Sequence, residues 1–324
     1  MAPRPFRTSL RFCPIGLLAA LGACGGGGSG PTFEVVVPDA TLNGAVPVVI
    51  GATADTVFWS ASTGAGTTFV AGASVASLPA QGTQLATASG PVAPAGAHVL
   101  FVADQTISRV GIDGVAQRIT TGAPDALAGS SDTVPVVVWT SGAVVSWGVD
   151  DMQTTATLTK IDRCDHARVT MQQIYVAADG PSGRRLLRID QRTGDVTSIT
   201  ASSTWSTMFP GGGMAGATYR GRIVGADDSG ALWLVEEMPS GRGIVVSEPL
   251  QGAPSVLLEH VSGATGFFAS ANGLYWQEGD ELLTAPRTGG AASIIGSLPG
   301  RADAFADGYI YVTDGSAIER LRVE

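Results

Sequence analysis

Apolar residues in this chain gather in short runs, each centred on an aromatic or large aliphatic side chain and closed on both sides by Gly, Asp, Ser or Asn. The runs are Val57-Phe58-Trp59, Val99-Leu100-Phe101, Val137-Val138-Trp139, Ile174-Tyr175-Val176, Leu232-Trp233-Leu234, Leu274-Tyr275-Trp276 and Ile310-Tyr311-Val312. Their middle residues are 42, 38, 37, 58, 42 and 36 positions apart. A period of about 40 residues with several short strands per period is the spacing of propeller blades. Apolar positions at i, i+3 and i+4 are sustained nowhere after residue 32, which predicts almost no helix.

The runs predict an all-β fold: a β-propeller of seven four-stranded blades, with six or eight as the neighbouring counts. Val134 to Trp139 and Leu274 to Trp276 are apolar without alternation. That fits strands buried on both faces, as blade sheets are, and not the half-exposed strands of an open sandwich. Small residues precede each run, as in IGATAD (50–55), ALAGSSD (126–132), IVGADDSG (223–230), FFASANG (267–273) and AFADG (304–308). These read as innermost strands converging on an axis. Asp113-Gly114, Asn272-Gly273, Asp307-Gly308 and Asp314-Gly315 are expected tight turns. The last unit has material for only three strands, and Phe33 to Val37 is a spare strand ahead of the first. Pairing 33–37 with 317–323 would close the ring and remove an exposed edge.

Composition sharpens this picture. The 324 residues include 44 Gly and 18 Pro, a load that long helices would tolerate poorly, because interior Gly costs about 0.5–1 kcal/mol relative to Ala. Charge excludes one class of partner. Nineteen Lys and Arg face 28 Asp and Glu, a net charge of −9. Without Arg4, Arg7 and Arg11 the net charge falls to −12. No basic stripe offsets it, so nucleic acid is not an expected partner.

Those three arginines open the N-terminal segment. A basic stretch precedes an apolar run, Phe12 to Ala23, too short to span a bilayer, and this is the layout of a secretory signal. Leu21-Gly22-Ala23-Cys24 resembles the lipobox of bacterial lipoproteins. The resemblance implies cleavage after Ala23, acylation of Cys24 and attachment to the bacterial cell envelope. Gly25, where the family's inner-membrane retention signal would place Asp, points to the outer membrane. Residues 1–23 are thus expected to be a signal peptide, 24–32 a lipidated Cys with a Gly/Ser tether, and 33–324 a single propeller domain. Cys13 would leave with the signal, and Cys164 would remain a lone thiol. Within the body, LYW (274–276) and IYVTD (310–314) resemble YWTD-like, NHL-like and TolB-like propeller repeats. That resemblance implies a platform for ligands or partners more often than an enzyme.

Candidate chemistry is sparse. No GxSxG, HExxH, EF-hand or GK[ST] pattern occurs. Gly211 to Gly216 fits GxGxxG formally, without the strand and helix a dinucleotide site requires. Asp228-Ser229-Gly230-Ala231-Leu232-Trp233 is similar to part of a sialidase Asp box and marks a hairpin. Cys164-Asp165-His166 invites a metal reading, although consecutive residues chelate one ion poorly. Asp150-Asp151 and Glu236-Glu237 are paired carboxylates placed on turns. Lactonase-like propellers hold a metal with Glu, Asp and Asn, and Asn43 and Asn272 are the chain's only asparagines. No catalytic, cofactor-binding or metal residue is assigned.

The longest spacing holds an insertion, Ser202 to Gly216, carrying Trp205, Met208, Phe209 and Met214. Apolar side chains on such a loop can form a contact surface; equally, Trp205 and Phe209 can fold back to cap a blade edge. The expected function is a lipid-anchored extracytoplasmic binding or scaffold module, acting as a monomer on an envelope protein or a polysaccharide. The alternative is a metal-dependent lactonase-like or glycan-active enzyme using the axial funnel.

Overall fold

Each apolar run forms the second strand of a four-stranded antiparallel meander. The structure is a computed structural model that describes residues 31–64, 66–130, 136–149, 152–227 and 229–324. The signal segment, Cys24 and residues 25–30 of the tether lie outside the described residues, as do Val134, Asp150, Asp151 and Asp228.

Seven such sheets follow one another along the chain. Phe33–Val37 is β1. Blade 1 comprises β2 (Val48–Ala52), β3 (Thr56–Ser62), β4 (Thr68–Ser74) and β5 (Thr83–Ala88). Blade 2 comprises β6 (Val92–Ala95), β7 (His98–Ala103), β8 (Thr106–Gly111) and β9 (Ala116–Thr121). Blade 3 comprises β10 (Ala126–Gly129), β11 (Val137–Ser141), β12 (Val144–Val149) and β13 (Met152–Thr157). Blade 4 comprises β14 (Arg163–Val169), β15 (Gln173–Asp179), β16 (Arg185–Asp190) and β17 (Val196–Ala201). After the single-turn helix α1 (Ser202–Trp205), blade 5 comprises β18 (Thr218–Asp227), β19 (Gly230–Met238), β20 (Arg242–Pro249) and β21 (Ser255–Ser262). Blade 6 comprises β22 (Phe267–Ala269), β23 (Gly273–Glu278), β24 (Glu281–Pro286) and β25 (Ser293–Ser297). Blade 7 comprises β26 (Arg301–Ala306), β27 (Tyr309–Asp314) and β28 (Ala317–Arg322), and its fourth strand is β1.

The first strand of each blade is innermost. β2 touches β26 and β6, β10 touches β6 and β14, and β18 touches β14 and β22. Small residues make this convergence feasible. A Cβ on Gly129 would stand 2.3 Å from the Ala95 Cβ, one on Gly51 2.6 Å from the Pro94 Cβ, and one on Gly225 3.0 Å from the Ala269 Cβ. These are contacts between neighbouring blades at the axis, so the Gly and Ala content there is steric in origin. The second strands are buried on both faces: Trp59, Tyr175, Trp233 and Tyr311 are each no more than 1% exposed. Burying such a side chain contributes about 1.5–3 kcal/mol, and the blade-to-blade seams hold the ring.

The ring closes through β1. Phe33 pairs with Leu321, Val35 with Glu319 and Val37 with Ile318, and Val36 and Val37 are fully buried. Arg320 adds an ion pair to Glu34 at 2.7 Å and lies 4.3 Å from the centre of the Tyr309 ring.

The turns follow expectation unevenly. Asp307 and Gly308 both take positive φ, whereas at Asp113-Gly114 and Asp314-Gly315 only the glycine does. Asn272-Gly273 takes neither, because the Ser270 hydroxyl accepts both backbone N–H groups at 3.0 Å and closes the turn without it. One face of the ring carries the connections between blades together with the hairpins joining second and third strands. The candidate site lies there.

Candidate functional site

The insertion between blades 4 and 5 is built by burying its aromatics. Trp205 is fully buried, and its indole N–H donates to Thr200 Oγ1 at 3.1 Å. Its ring lies against β18 at Gly221, where an added Cβ would come within 2.4 Å of Cη2. Phe209 is 3% exposed, 5.6 Å from the Tyr219 ring centre and 5.3 Å from the Arg242 guanidinium carbon. Met208 is half-buried against the same cluster, and only Met214 is well exposed, at 50%. Of the four residues read as a contact surface, Trp205 and Phe209 therefore fill the seam between blades 4 and 5. The structure places them in the capping arrangement, and Met214 alone projects outward.

A buried carboxylate pins the insertion. Glu236 and Glu237 lie on β19 and not on a turn, so adjacent side chains point to opposite sides. Glu237 is fully buried. It accepts the Met214 N–H at 2.6 Å and the Ser240 hydroxyl at 2.7 Å, and has Arg242 at 3.7 Å. The Met214 hydrogen bond first, then that from Ser240, hold its pKa below the ordinary carboxylate value against burial. Gly213 is demanded by the same packing, since a Cβ there would overlap the Tyr219 hydroxyl. The GxGxxG stretch is thus a loop, with Gly211, Gly212 and Gly216 at positive φ.

Between this loop and the blade 4 hairpin opens a cleft of about 900 Å³. Ser182, Ser202, Ser203, Ser206 and Thr218 supply hydroxyls to its wall, with Tyr219, Met214, Arg220, Arg222 and Glu236. Arg184 lines it from the β15–β16 hairpin. This guanidinium donates to both carboxylate oxygens of Asp165 at 2.8 and 3.0 Å, to Asp179 at 3.0 Å and to the Gly221 carbonyl at 2.6 Å. Burial opposes its charge, but the bonds and charges of Asp165 and Asp179 outweigh burial and raise its pKa. Arg222 is spent on the Ala264 carbonyl at 2.6 Å. The cleft is therefore a fixed, hydroxyl-rich concavity in which Arg220 is an exposed cation. Such a surface can hydrogen-bond a polyhydroxylated ligand from several sides.

The other candidates disperse. Cys164, Asp165 and His166 sit on β14, where a bulge between Cys164 and His166 re-aims Asp165. Cys164 packs into the seam between blades 3 and 4, and its thiol is pushed up to about 12 by burial and then by Asp165. Asp165 turns to Arg184. His166 turns to the Ile223 carbonyl of blade 5 at 3.2 Å, its pKa lowered to about 4 by burial and then by Arg168. Asn43 has positive φ in a surface turn, and Asn272 sits in a hairpin turn. Among the described residues, no three His, Cys, Asp or Glu side chains come together as a metal site would require. The partial Asp box falls in the hairpin between β18 and β19, where Asp227 accepts the Ser229 and Gly230 N–H groups.

Sequence reasoning missed the roles of Arg184, Tyr219 and Glu237. One signal was available: Gly221 interrupts a strand between two arginines, and a strand glycine marks close approach of another group.

No protein-family model matches the sequence, and no curated protein matches it. Solved structures match in fold. A catalytically inactive virginiamycin B lyase from Staphylococcus aureus, with quinupristin, is 13% identical with a TM-score of 0.60, over 90% of this chain and 100% of that one. An oligogalacturonate lyase in complex with manganese is 10% identical with a TM-score of 0.58, over 91% and 97%. The β-propeller domain of the Trilobed protease from Pyrococcus furiosus is 9% identical with a TM-score of 0.58, over 86% and 96%. That domain is described as having an open velcro topology, whereas β1 closes the ring here. At these identities the likeness establishes the propeller fold alone.

Proposed function

We infer that this chain is a lipid-anchored binding propeller of the bacterial envelope, with the cleft between blades 4 and 5 receiving a polysaccharide segment. The observation that carries the reading is the cleft itself, about 900 Å³ walled by five hydroxyl side chains, the Tyr219 ring and Arg220. Sugars are recognised through many hydroxyl contacts and few charges, and the fixed Arg184 and Glu237 networks hold the wall in place for them. The anchor is assigned to Cys24 on the strength of Leu21-Gly22-Ala23-Cys24 and the apolar stretch before it. An acidic body acting as a monomer, tethered close to the outer membrane and avoiding nucleic acid, completes the reading.

Two measurements test it. Cys24→Ser should move the protein from the membrane fraction to the soluble one. Electrophoresis through gels containing envelope polysaccharide should retard the wild type, and Ser203→Trp, which fills the cleft from its exposed rim, should abolish the retardation. Equal retardation of the variant removes the cleft as the site. Absence of any retardation, with an envelope protein cross-linking at the same rim, makes the partner a protein instead.

A further inference from the structure

The charges of the cleft between blades 4 and 5 cancel. Its walls hold Arg184, Arg220 and Arg222 together with Asp179 and Glu236. Asp165 joins them from behind, through both terminal nitrogens of Arg184. Three guanidinium groups are thus matched by three carboxylates. Arg184 is spent on its two aspartates and the Gly221 carbonyl, and Arg222 donates to the Ala264 carbonyl at 2.6 Å. Arg220 and Glu236 are paired directly across β18 and β19. That register puts both side chains on one side of the sheet, near enough to offset each other's charge. The cleft therefore offers a charged ligand no net attraction. The body around it is acidic, at −12 without Arg4, Arg7 and Arg11, and repels a polyanion on approach.

The unspent hydrogen-bonding groups point the same way. Among the described residues no donor reaches the Glu236 carboxylate, and Asp179 uses only Oδ2, on Arg184. An ionised carboxylate accepts and cannot donate, so a ligand must bring O–H or N–H groups to both. Arg220 only donates, and it has no acceptor among the described residues. The hydroxyls of Ser182, Ser202, Ser203, Ser206 and Thr218 line the cleft without a hydrogen bond to any described residue. Each of them can donate or accept. A sugar hydroxyl also does both, so it suits every one of these groups. A carboxylate or sulfate on the sugar suits only the donors, and it sets like charge against Asp179 and Glu236.

We propose that the cleft selects an uncharged polysaccharide, a chain of neutral sugars, with Asp179 and Glu236 as the acceptors that turn away uronic-acid and sulfated chains. This rests on the polysaccharide reading above and narrows it to one class.

Envelope polysaccharide separated by anion exchange into a neutral and an acidic fraction, each coupled to agarose, tests it by frontal chromatography of the full chain in detergent. The neutral column should delay the wild type, and the delay should change less than about twofold between about 20 mM and about 0.5 M NaCl, since no net charge is screened. The acidic column should not delay it. Ser203→Trp should abolish the neutral delay. Glu236→Lys removes an acceptor and reverses a charge. It should weaken binding to the neutral column about tenfold, the loss of one hydrogen bond to a charged group, and gain a salt-sensitive delay on the acidic one. The nearly isosteric Glu236→Gln should fall between wild type and Glu236→Lys on both columns, which keeps the test decisive if the lysine variant melts lower. An acidic-column delay equal to or greater than the neutral one, and abolished by Ser203→Trp, overturns the uncharged class while leaving the polysaccharide reading in place. Unchanged behaviour of both Glu236 variants also overturns it. No delay on either column removes the polysaccharide reading itself, and this proposal with it.

Discussion

The packing of Trp205 on Gly221 can be broken from either side, and the two breaks should not add. Removing the indole, fully buried between blades 4 and 5, leaves a cavity and should cost about 3–5 kcal/mol in Trp205→Ala. Gly221→Ala places a Cβ 2.4 Å from Cη2 and 3.0 Å from both Cζ2 and Cζ3. The indole cannot retreat without breaking its bond to Thr200, so overpacking should cost about 1–3 kcal/mol. Gly221 does not have positive φ, so alanine itself is compatible with the strand. Once the indole is gone, the added methyl meets open space, and Ala should stabilise the strand by about 0.5–1 kcal/mol relative to Gly. The double variant should therefore be more stable than Trp205→Ala alone, with a coupling energy of about 1.5–4 kcal/mol. Equilibrium urea unfolding of the four proteins, compared at matched m-values, measures it. Additivity within about 0.5 kcal/mol would refute the contact and with it the capping role of the insertion.

Three other outcomes follow from the packing and electrostatics of the ring. Glu237→Gln should loosen the insertion and change the acid limb of stability. A carboxyl with a depressed folded pKa contributes stability that is complete above its ordinary value, near 4.5, and is lost as pH falls through the folded one. The wild type should lose stability more steeply than the variant below about pH 4.5, followed by urea midpoints across pH. Glu248 carries the opposite sign: burial pushes it up to about 7 although Arg188 pulls it down, and its Oε2 is buried without a partner. Its protonated form contributes stability that is complete below its ordinary 4.5 and declines as pH rises through about 7, so Glu248→Gln should flatten that decline and melt higher at pH 8. At the closure, Val36→Asp buries an unpaired charge and should cost about 3 kcal/mol or more, whereas Glu34→Ala should cost less than about 1 kcal/mol, because the Arg320 pair is partly exposed. Thermal melts of both variants separate the two.

The fold was legible because a blade buries its second strand on both faces, which writes an uninterrupted apolar run into the sequence at every repeat. All seven runs lie on β3, β7, β11, β15, β19, β23 and β27. The inner strands were legible for a steric reason, as the contacts of Gly51, Gly129 and Gly225 show. The site was much less so. Trp205 and Phe209 look alike as surface anchors or as core until Gly221 and Tyr219, further along the chain, are brought beneath them. Glu236 and Glu237 are identical in sequence, and strand alternation alone buries one and leaves the other on the cleft wall. The Cys164-Asp165-His166 trio was beyond pattern reading, because one bulge decides that the three side chains diverge.

These observations locate function where the repeat is broken. A ring of equal blades would present equal seams, but blade 5 is exceptional: β18 runs 10 residues and β19 nine, against three for β22 in the next blade. The long strands pair Thr218, Tyr219 and Arg220 with Met238, Glu237 and Glu236, and these first residues of β18 form a wall of the cleft beneath the insertion. Blade 4 answers with Arg184 and the bulged Asp165, which tie the two inner strands through the Gly221 carbonyl. Gly221 thus serves both the indole on one side and the guanidinium on the other. A substitution there should disturb the seam and the cleft together, whereas a change such as Ser203→Trp should alter the cleft alone. That difference separates the structural work of the insertion from its binding work.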